Sequence, residues 1–194
     1  MRASELRGLQ WGDVDLEGKS ISVRRMADHL KCLRPPKSEA GTRTIPIGEF
    51  LANTLAAWRQ DCLPSHLDVV FPGDAGAIAS YSVIYRSGLR PVLINCGLVS
   101  SDKSETLAKF NKDGWQALSS GEKRAIKPKY GLHAFRHFYA SWRLEQRYNV
   151  KQVQTWLGHE NATMTLDLYG HLLSDEVDQE RMTKEEIDLA GPIE

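Results

Sequence analysis

The sequence has 194 residues, 41% of them hydrophobic and 26% charged, which is the size and mix of one globular domain or at most two small ones. It contains no run of about eighteen apolar residues, and its opening MRASELRGLQ has no apolar signal core, so neither a membrane span nor a secretory leader is predicted. Three scattered cysteines (Cys32, Cys62, Cys96) with no CxxC pairing exclude a secreted disulfide scaffold and favour a reducing compartment without structural zinc.

The formal net charge is zero, but its distribution is not even. Residues 160–194 carry ten acidic and two basic side chains, whereas residues 1–159 carry fifteen acidic and twenty-three basic ones. Within 120–159, eight Lys/Arg stand against two Glu. A basic body joined to an acidic tail fits a polyanion-binding surface beside a solvated or partner-contacting tail. A solvated surface with a polar terminal helix fits the same count.

Residues 2–10 place Leu6 and Leu9 at helical spacing and predict a short helix that needs docking to stay ordered. The period then becomes two. Val14-Asp15-Leu16 and Ile21-Ser22-Val23 flank Glu17-Gly18-Lys19, a hairpin signal, and Thr42 to Ile47 gives a third strand of a small antiparallel sheet. The loop from Pro35 to Gly41 carries one conspicuous lysine, Lys37. Phe50, Leu51, Leu55 and Trp58 form a helical stripe, Asp68 to Pro72 an extended piece, and Ser80 to Leu98 a helical pattern that Pro91 ends or kinks. Residues 100–130, polar with few apolar anchors, predict a partly helical surface excursion or a loop. Leu132 to Gln146 and Val150 to Leu157 predict strong helices; Gly158 supplies a stop, and a further helix runs toward Tyr169. Ser174 caps a last acidic helix ending near Leu189. Trp11, Trp58 and Trp156 read as core residues.

Four stretches combine residues suited to phosphodiester chemistry: Arg2 in RASEL, Lys37 in PPKSEAGTRTIPI, His133-Ala-Phe-Arg136-His137, and Leu157-Gly158-His159 followed by Tyr169. Two arginines can donate paired hydrogen bonds to phosphate oxygens and neutralise charge that grows in a pentacoordinate transition state. A phenol, with a pKa of about 10, needs a base and a cationic setting to act as nucleophile. A histidine can take its proton, and a loop lysine can give one to the departing sugar oxygen. Guanidinium and ammonium groups supply the positive charge, so no metal or other cofactor is expected. His133 and His137 have the spacing of a metal pair, yet Ala134 stands where the zinc-hydrolase HExxH motif has its glutamate. Tyr139 and Tyr148 compete with Tyr169 as the nucleophile, and Lys31 with Lys37 as the acid.

RASELRGLQWGDVDL, KSEAGTRTIPI, GLHAFRHFYAS and VQTWLGHENATMTLDLYGHL together resemble the catalytic domain of the tyrosine recombinases, the phage-integrase family of DNA breaking-and-rejoining enzymes, in the family's order. The resemblance implies a mainly α fold with a small antiparallel sheet (α+β). It implies that Arg2 and Arg136 bind the scissile phosphate, that His133 assists proton transfer, and that Lys37 is the general acid for the leaving 5′-hydroxyl. It further implies that His159 donates to the phosphate and that Tyr169 forms a 3′-phosphotyrosyl link without ATP, metal or cofactor. Double-stranded DNA is the expected partner, in a prokaryotic or phage-infected host cytoplasm. The catalytic domain is expected at 1–173, without the family's opening helix and upstream DNA-clamping domain, and a tail at 174–194 exchanged between protomers of a homo-oligomer. A type IB topoisomerase uses a similar residue set, but the LGH…Tyr…GHL stretch disfavours it. A non-catalytic DNA-binding remnant is the alternative of a different class.

Overall fold

The protein is described by a computed structural model covering residues 1–161 and 163–169. The predicted tail helix from Ser174 and the boundary at residue 173 lie outside these residues. The first helix, α1 (Ala3–Gly8), is short and is fastened at both ends by side chains: Glu5 accepts from the Arg2 main-chain N–H at its start, and the buried Arg7 donates to the Ala79 and Ala27 carbonyls. A helix of six residues has little stability of its own, so these tertiary bonds hold it.

Strands β1 (Val14–Asp15) and β2 (Ser20–Val23) form the expected hairpin, with Val14 opposite Ile21. Its turn is closed by Asp15, whose carboxylate accepts from the Gly18 N–H at 2.7 Å; a Cβ on Gly18 would stand 2.3 Å from that carboxylate. The left-handed residue of the turn is Lys19 (φ 49°) rather than the glycine. A second, unpredicted hairpin follows, β3 (Met26–Ala27) with β4 (Leu33–Arg34). Strand β5 (Arg43–Pro46) then returns to pair antiparallel with β2, placing Ile45 opposite Ile21 and Arg43 opposite Val23. Arg43 and Ile45 face inward, Thr44 and Pro46 outward, which is the two-residue alternation of a half-buried strand.

Helix α2 (Glu49–Asp61) covers this sheet through Leu55, which joins Leu9, Trp11, Ile21 and Val70 in one apolar cluster. The predicted stripe on α2 is only partly used. Phe50 is 86% exposed, and Trp58 lies at the rim, donating its indole N–H to the Val70 carbonyl. Around Pro91 the chain solves the kink with a wide turn: α3 (Tyr81–Val83) passes into a π-helical segment, Ile84–Leu89, and then α4 (Arg90–Asn95), with Pro91 in its first turn where no N–H is needed.

Residues 94–128 form a lobe with its own core. Strand β6 (Val99–Ser100) pairs with β7 (Lys127–Pro128) and closes a loop that contains α5 (Ser104–Asp113) and α6 (Ser120–Ala125). Ile94, Val99, Phe110, Leu118 and Ile126 are buried together inside it. The last part is a packed helix pair, α7 (Leu132–Glu145) and α8 (Val150–Leu157), followed by α9 (Thr163–Tyr169), which packs on both. Ala140 and Leu144 of α7 meet Val153 and Leu157 of α8. Arg136 is buried on the same α7 face, one turn before Ala140, so the apolar register that docks the two helices also delivers a guanidinium to the end of α8. An aromatic cluster forms around Arg143, which lies 4.9 Å from the ring centres of both Trp142 and Tyr148, while Tyr148 meets Trp156 edge-on.

Candidate active site

The organising feature is the C-terminus of α8. A helix leaves its last four carbonyls without helical partners. Here two are closed locally: Gly158, in the left-handed conformation (φ 66°, ψ 48°), lets its own N–H reach the Thr155 carbonyl and the His159 N–H reach that of Gln154, the Schellman arrangement. The next three carbonyls accept from arginines. Trp156 O accepts from Arg43 Nε at 2.7 Å, Leu157 O from Arg136 Nη2, and Gly158 O from Arg2 Nη2 at 3.2 Å. Three cations thus gather at the negative end of one helix dipole, where positive charge is favoured. A Cβ at Gly158 would lie 2.9 Å from both the Ala40 carbonyl and Arg43 Nη1, so the position requires glycine for space as well as for φ.

Their mutual repulsion is offset by one carboxylate. Glu5 is 3% exposed and receives Arg43 through both terminal nitrogens (3.1 and 2.8 Å), Arg2 Nη1 at 3.1 Å, and the Arg2 main-chain N–H at 2.6 Å. Burial by itself raises its pKa. The hydrogen bonds and charge of Arg43, with those of Arg2, outweigh that and hold it at about 2. Arg43 is itself 7% exposed, so this is a buried, two-pronged ion pair.

His159 follows Gly158 and is 6% exposed, with Nδ1 2.9 Å from the Thr165 hydroxyl of α9. Burial, then the charges of Arg136, Arg2 and Arg43, lower its pKa to about 4, so the ring is neutral at pH 7. His133 lies in the first turn of α7, edge-on to His137 at 4.7 Å between ring centres. Its pKa is also lowered, by burial first and then by His137, Arg136 and Arg2. Lys37 is exposed on its loop and lines, with Arg2, a cleft of about 660 Å³.

The structure therefore brings Arg2, Arg136 and His159 together at the end of α8, sets His133 on the helix that carries Arg136, and puts Lys37 across the cleft from α1. Tyr169 is the final residue of α9, whose position relative to His159 is fixed by Thr165; its side chain lies outside the described atoms. Sequence reading missed Glu5 and Arg43. Both left a signal. Glu5 sits three residues after Arg2, the spacing of a helix-start acid, and Arg43 occupies an inward strand position opposite an apolar partner, where a charge needs a reason.

The mixed α+β fold is that of solved tyrosine-recombinase structures. The fold matches the Tn1549 transposon integrase in complex with circular intermediate DNA (TM-score 0.62, 22% identity, 96% of this chain and 55% of that one). It also matches the XerA recombinase (TM-score 0.55, 19% identity, all of this chain and 54% of that one). The sequence matches the phage integrase family over residues 1–176, and the chain belongs to that family. It is 26% identical over 182 residues to the prophage integrase IntR of Escherichia coli K12, covering 93% of this chain and 42% of that protein. It is 28% identical over 185 residues to a XerC-like tyrosine recombinase of Caldanaerobacter subterraneus, covering 89% and 43%. The chain spans less than half the length of these curated relatives.

Proposed function

We propose that this chain is the catalytic part of a site-specific DNA recombinase that cleaves and rejoins double-stranded DNA through a phosphotyrosyl link. The observation that carries the reading is the convergence of Arg2 and Arg136 on consecutive carbonyls at the end of α8, beside a neutral His159. The solved relatives include recombinases in complex with DNA, which supports the same partner here.

In this reading the Tyr169 phenolic oxygen attacks the scissile phosphorus, its proton passing to His133. The bond from phosphorus to the 5′-oxygen breaks, and Lys37 gives that oxygen a proton. Arg2 and Arg136 take the charge that builds on the non-bridging oxygens. His159, its Nδ1 engaged by the Thr165 hydroxyl, donates to the same oxygens through Nε2. Attack by a 5′-hydroxyl of another strand reverses the steps, and because the ester keeps the bond energy, no ATP is spent. Residues 174–194 hold neighbouring protomers together on DNA, in the host cytoplasm where that DNA lies.

The test is a pool of nicked duplexes of randomised sequence, in which cleavage beside the nick releases a short strand and traps the intermediate. A denaturant-stable protein–DNA adduct, absent with Tyr169→Phe, is expected. An adduct that survives in Tyr169→Phe overturns the assignment of the nucleophile. Salt-sensitive DNA binding with no adduct overturns the catalytic reading and leaves a DNA-binding remnant.

A further inference from the structure

Arg43 has no place in the chemistry above, yet its guanidinium makes four hydrogen bonds at the site. Its Nε binds Trp156 O at 2.7 Å, its Nη1 binds Gly41 O at 2.7 Å and Glu5 Oε1 at 3.1 Å, and its Nη2 binds Glu5 Oε2 at 2.8 Å. One planar group thus joins three segments distant in sequence: the α1 start, the lysine loop and the end of α8.

The bond to Gly41 bears directly on Lys37. Gly41 ends a single helical turn, Glu39–Gly41, that begins two residues after Lys37. Gly41 also lies against Pro36, so closely that a Cβ there would stand 2.5 Å from the proline ring. Ala40 O, in the same turn, abuts Gly158. The main chain on both sides of Lys37 is therefore pinned: Pro36 rests on Gly41, and Gly41 is held by Arg43. The lysine side chain remains exposed on a backbone tied by these contacts to the arginine cluster.

We propose that Arg43 is a positioning residue that registers the Lys37 loop against Arg2 and the end of α8, so that the lysine meets the leaving oxygen. The inference rests on the recombinase reading, with Lys37 as the proton donor. Arg43→Lys keeps the charge but loses the planar fork, and a primary ammonium cannot span Gly41, Glu5 and Trp156 at once. Misplacement of a reacting group by an ångström costs on the order of 10²-fold in rate.

The experiment compares wild type, Arg43→Lys, Lys37→Ala and the double variant on two pools of nicked randomised duplexes. One pool has the normal 5′-oxygen at the cleavage position and the other a bridging 5′-sulfur, which departs as a thiolate and needs no proton. With Arg43→Lys we expect DNA binding within about threefold of wild type and adduct formation down on the order of 10²-fold on the oxygen pool. On the sulfur pool the deficit should shrink at least about tenfold, since the misplaced proton donor no longer matters. On the oxygen pool, Lys37→Ala should add little to Arg43→Lys.

Unimpaired cleavage of the oxygen pool by Arg43→Lys, or an equal deficit on both pools, overturns the proposal. Should Arg43→Lys fail to fold, Gly41→Ala tests the same link, because its methyl pushes the loop off Pro36 while leaving Arg43 intact; the same sulfur rescue is expected, and its absence overturns the proposal. A wild-type protein that forms no adduct on either pool defeats the recombinase reading itself, a result distinct from either variant outcome.

Discussion

The end of α8 and the lobe at 94–128 are stabilised in opposite ways. The lobe folds around five apolar side chains that are close in sequence, and its charges, such as the Lys127–Asp102 and Lys109–Glu122 pairs, lie on its surface. At the end of α8 the buried groups are charged or polar: Glu5, Arg43, Arg136 and His159 are all buried, and Arg43 finds a partner 113 residues away in Trp156. Burying charge is costly unless every group is paired. The arginines meet that cost with carbonyls that the helix would otherwise leave unsatisfied. A region built in this way is organised to hold positive charge in a fixed geometry, whereas the lobe needs only to exclude water. Substitutions at the first should therefore damage chemistry, and those at the second should damage stability alone.

The largest expected effect breaks that contrast at Arg136. Arg136→Ala should slow adduct formation on nicked duplexes about 10³-fold, as loss of a transition-state donor does. Stability should fall by only about 1–3 kcal/mol, the scale of leaving a buried carbonyl such as Leu157 O unsatisfied. Urea unfolding beside the adduct assay separates the two, and a variant that simply unfolds would mark Arg136 as a structural residue. In the lobe the pattern should reverse. Leu118 is 3% exposed, and Leu118→Ala should cost about 3 kcal/mol while the folded fraction forms adduct at the wild-type rate. A matching loss of activity would mean that the lobe supports the site. Gly158→Ala lies between them: the left-handed φ alone costs about 1–2 kcal/mol, and the methyl meets Ala40 O and Arg43. Both the urea midpoint and the adduct yield should fall.

Much of the molecule was legible because its signals are local. The 3.6-residue stripe of α7, the stop at Gly158 and the alternation of β2 and β5 all lie within a few residues of the features they predict. The site residues were reached by motif and order, not by contact. What stayed hidden is what only folding brings together. No spacing rule links Glu5 to Arg43 across 38 residues or Arg2 to Gly158 across 156. The sharing of α8 carbonyls among three arginines appears only when α1, β5 and α7 converge. Phe50 misled for a related reason: periodicity locates the apolar side of α2 but not which of its residues find packing partners, and Phe50 is left exposed.

The smallest effect concerns acid, and it separates the two regions by the groups that titrate in each. His159 has a folded pKa near 4 against an ordinary 6.5, so the unfolded chain binds its proton more readily between those values. Its contribution to stability is complete above about pH 6.5 and is lost as pH falls toward 4. Glu5 is depressed from 4.5 to about 2, so its ion-paired contribution is complete above about pH 4.5 and is lost below it, as pH falls toward 2. Urea midpoints should therefore decline from pH 6.5 to 5, before any buried carboxylate titrates, and His159→Asn should flatten that decline. Lys127→Ala, which removes a fully exposed partner of Asp102, should leave both the midpoint at pH 7 and the slope below it unchanged. An undiminished slope in His159→Asn would mean that the proton is taken up elsewhere. The neutral imidazole at the end of α8 would then not be the group through which the arginine cluster responds to pH.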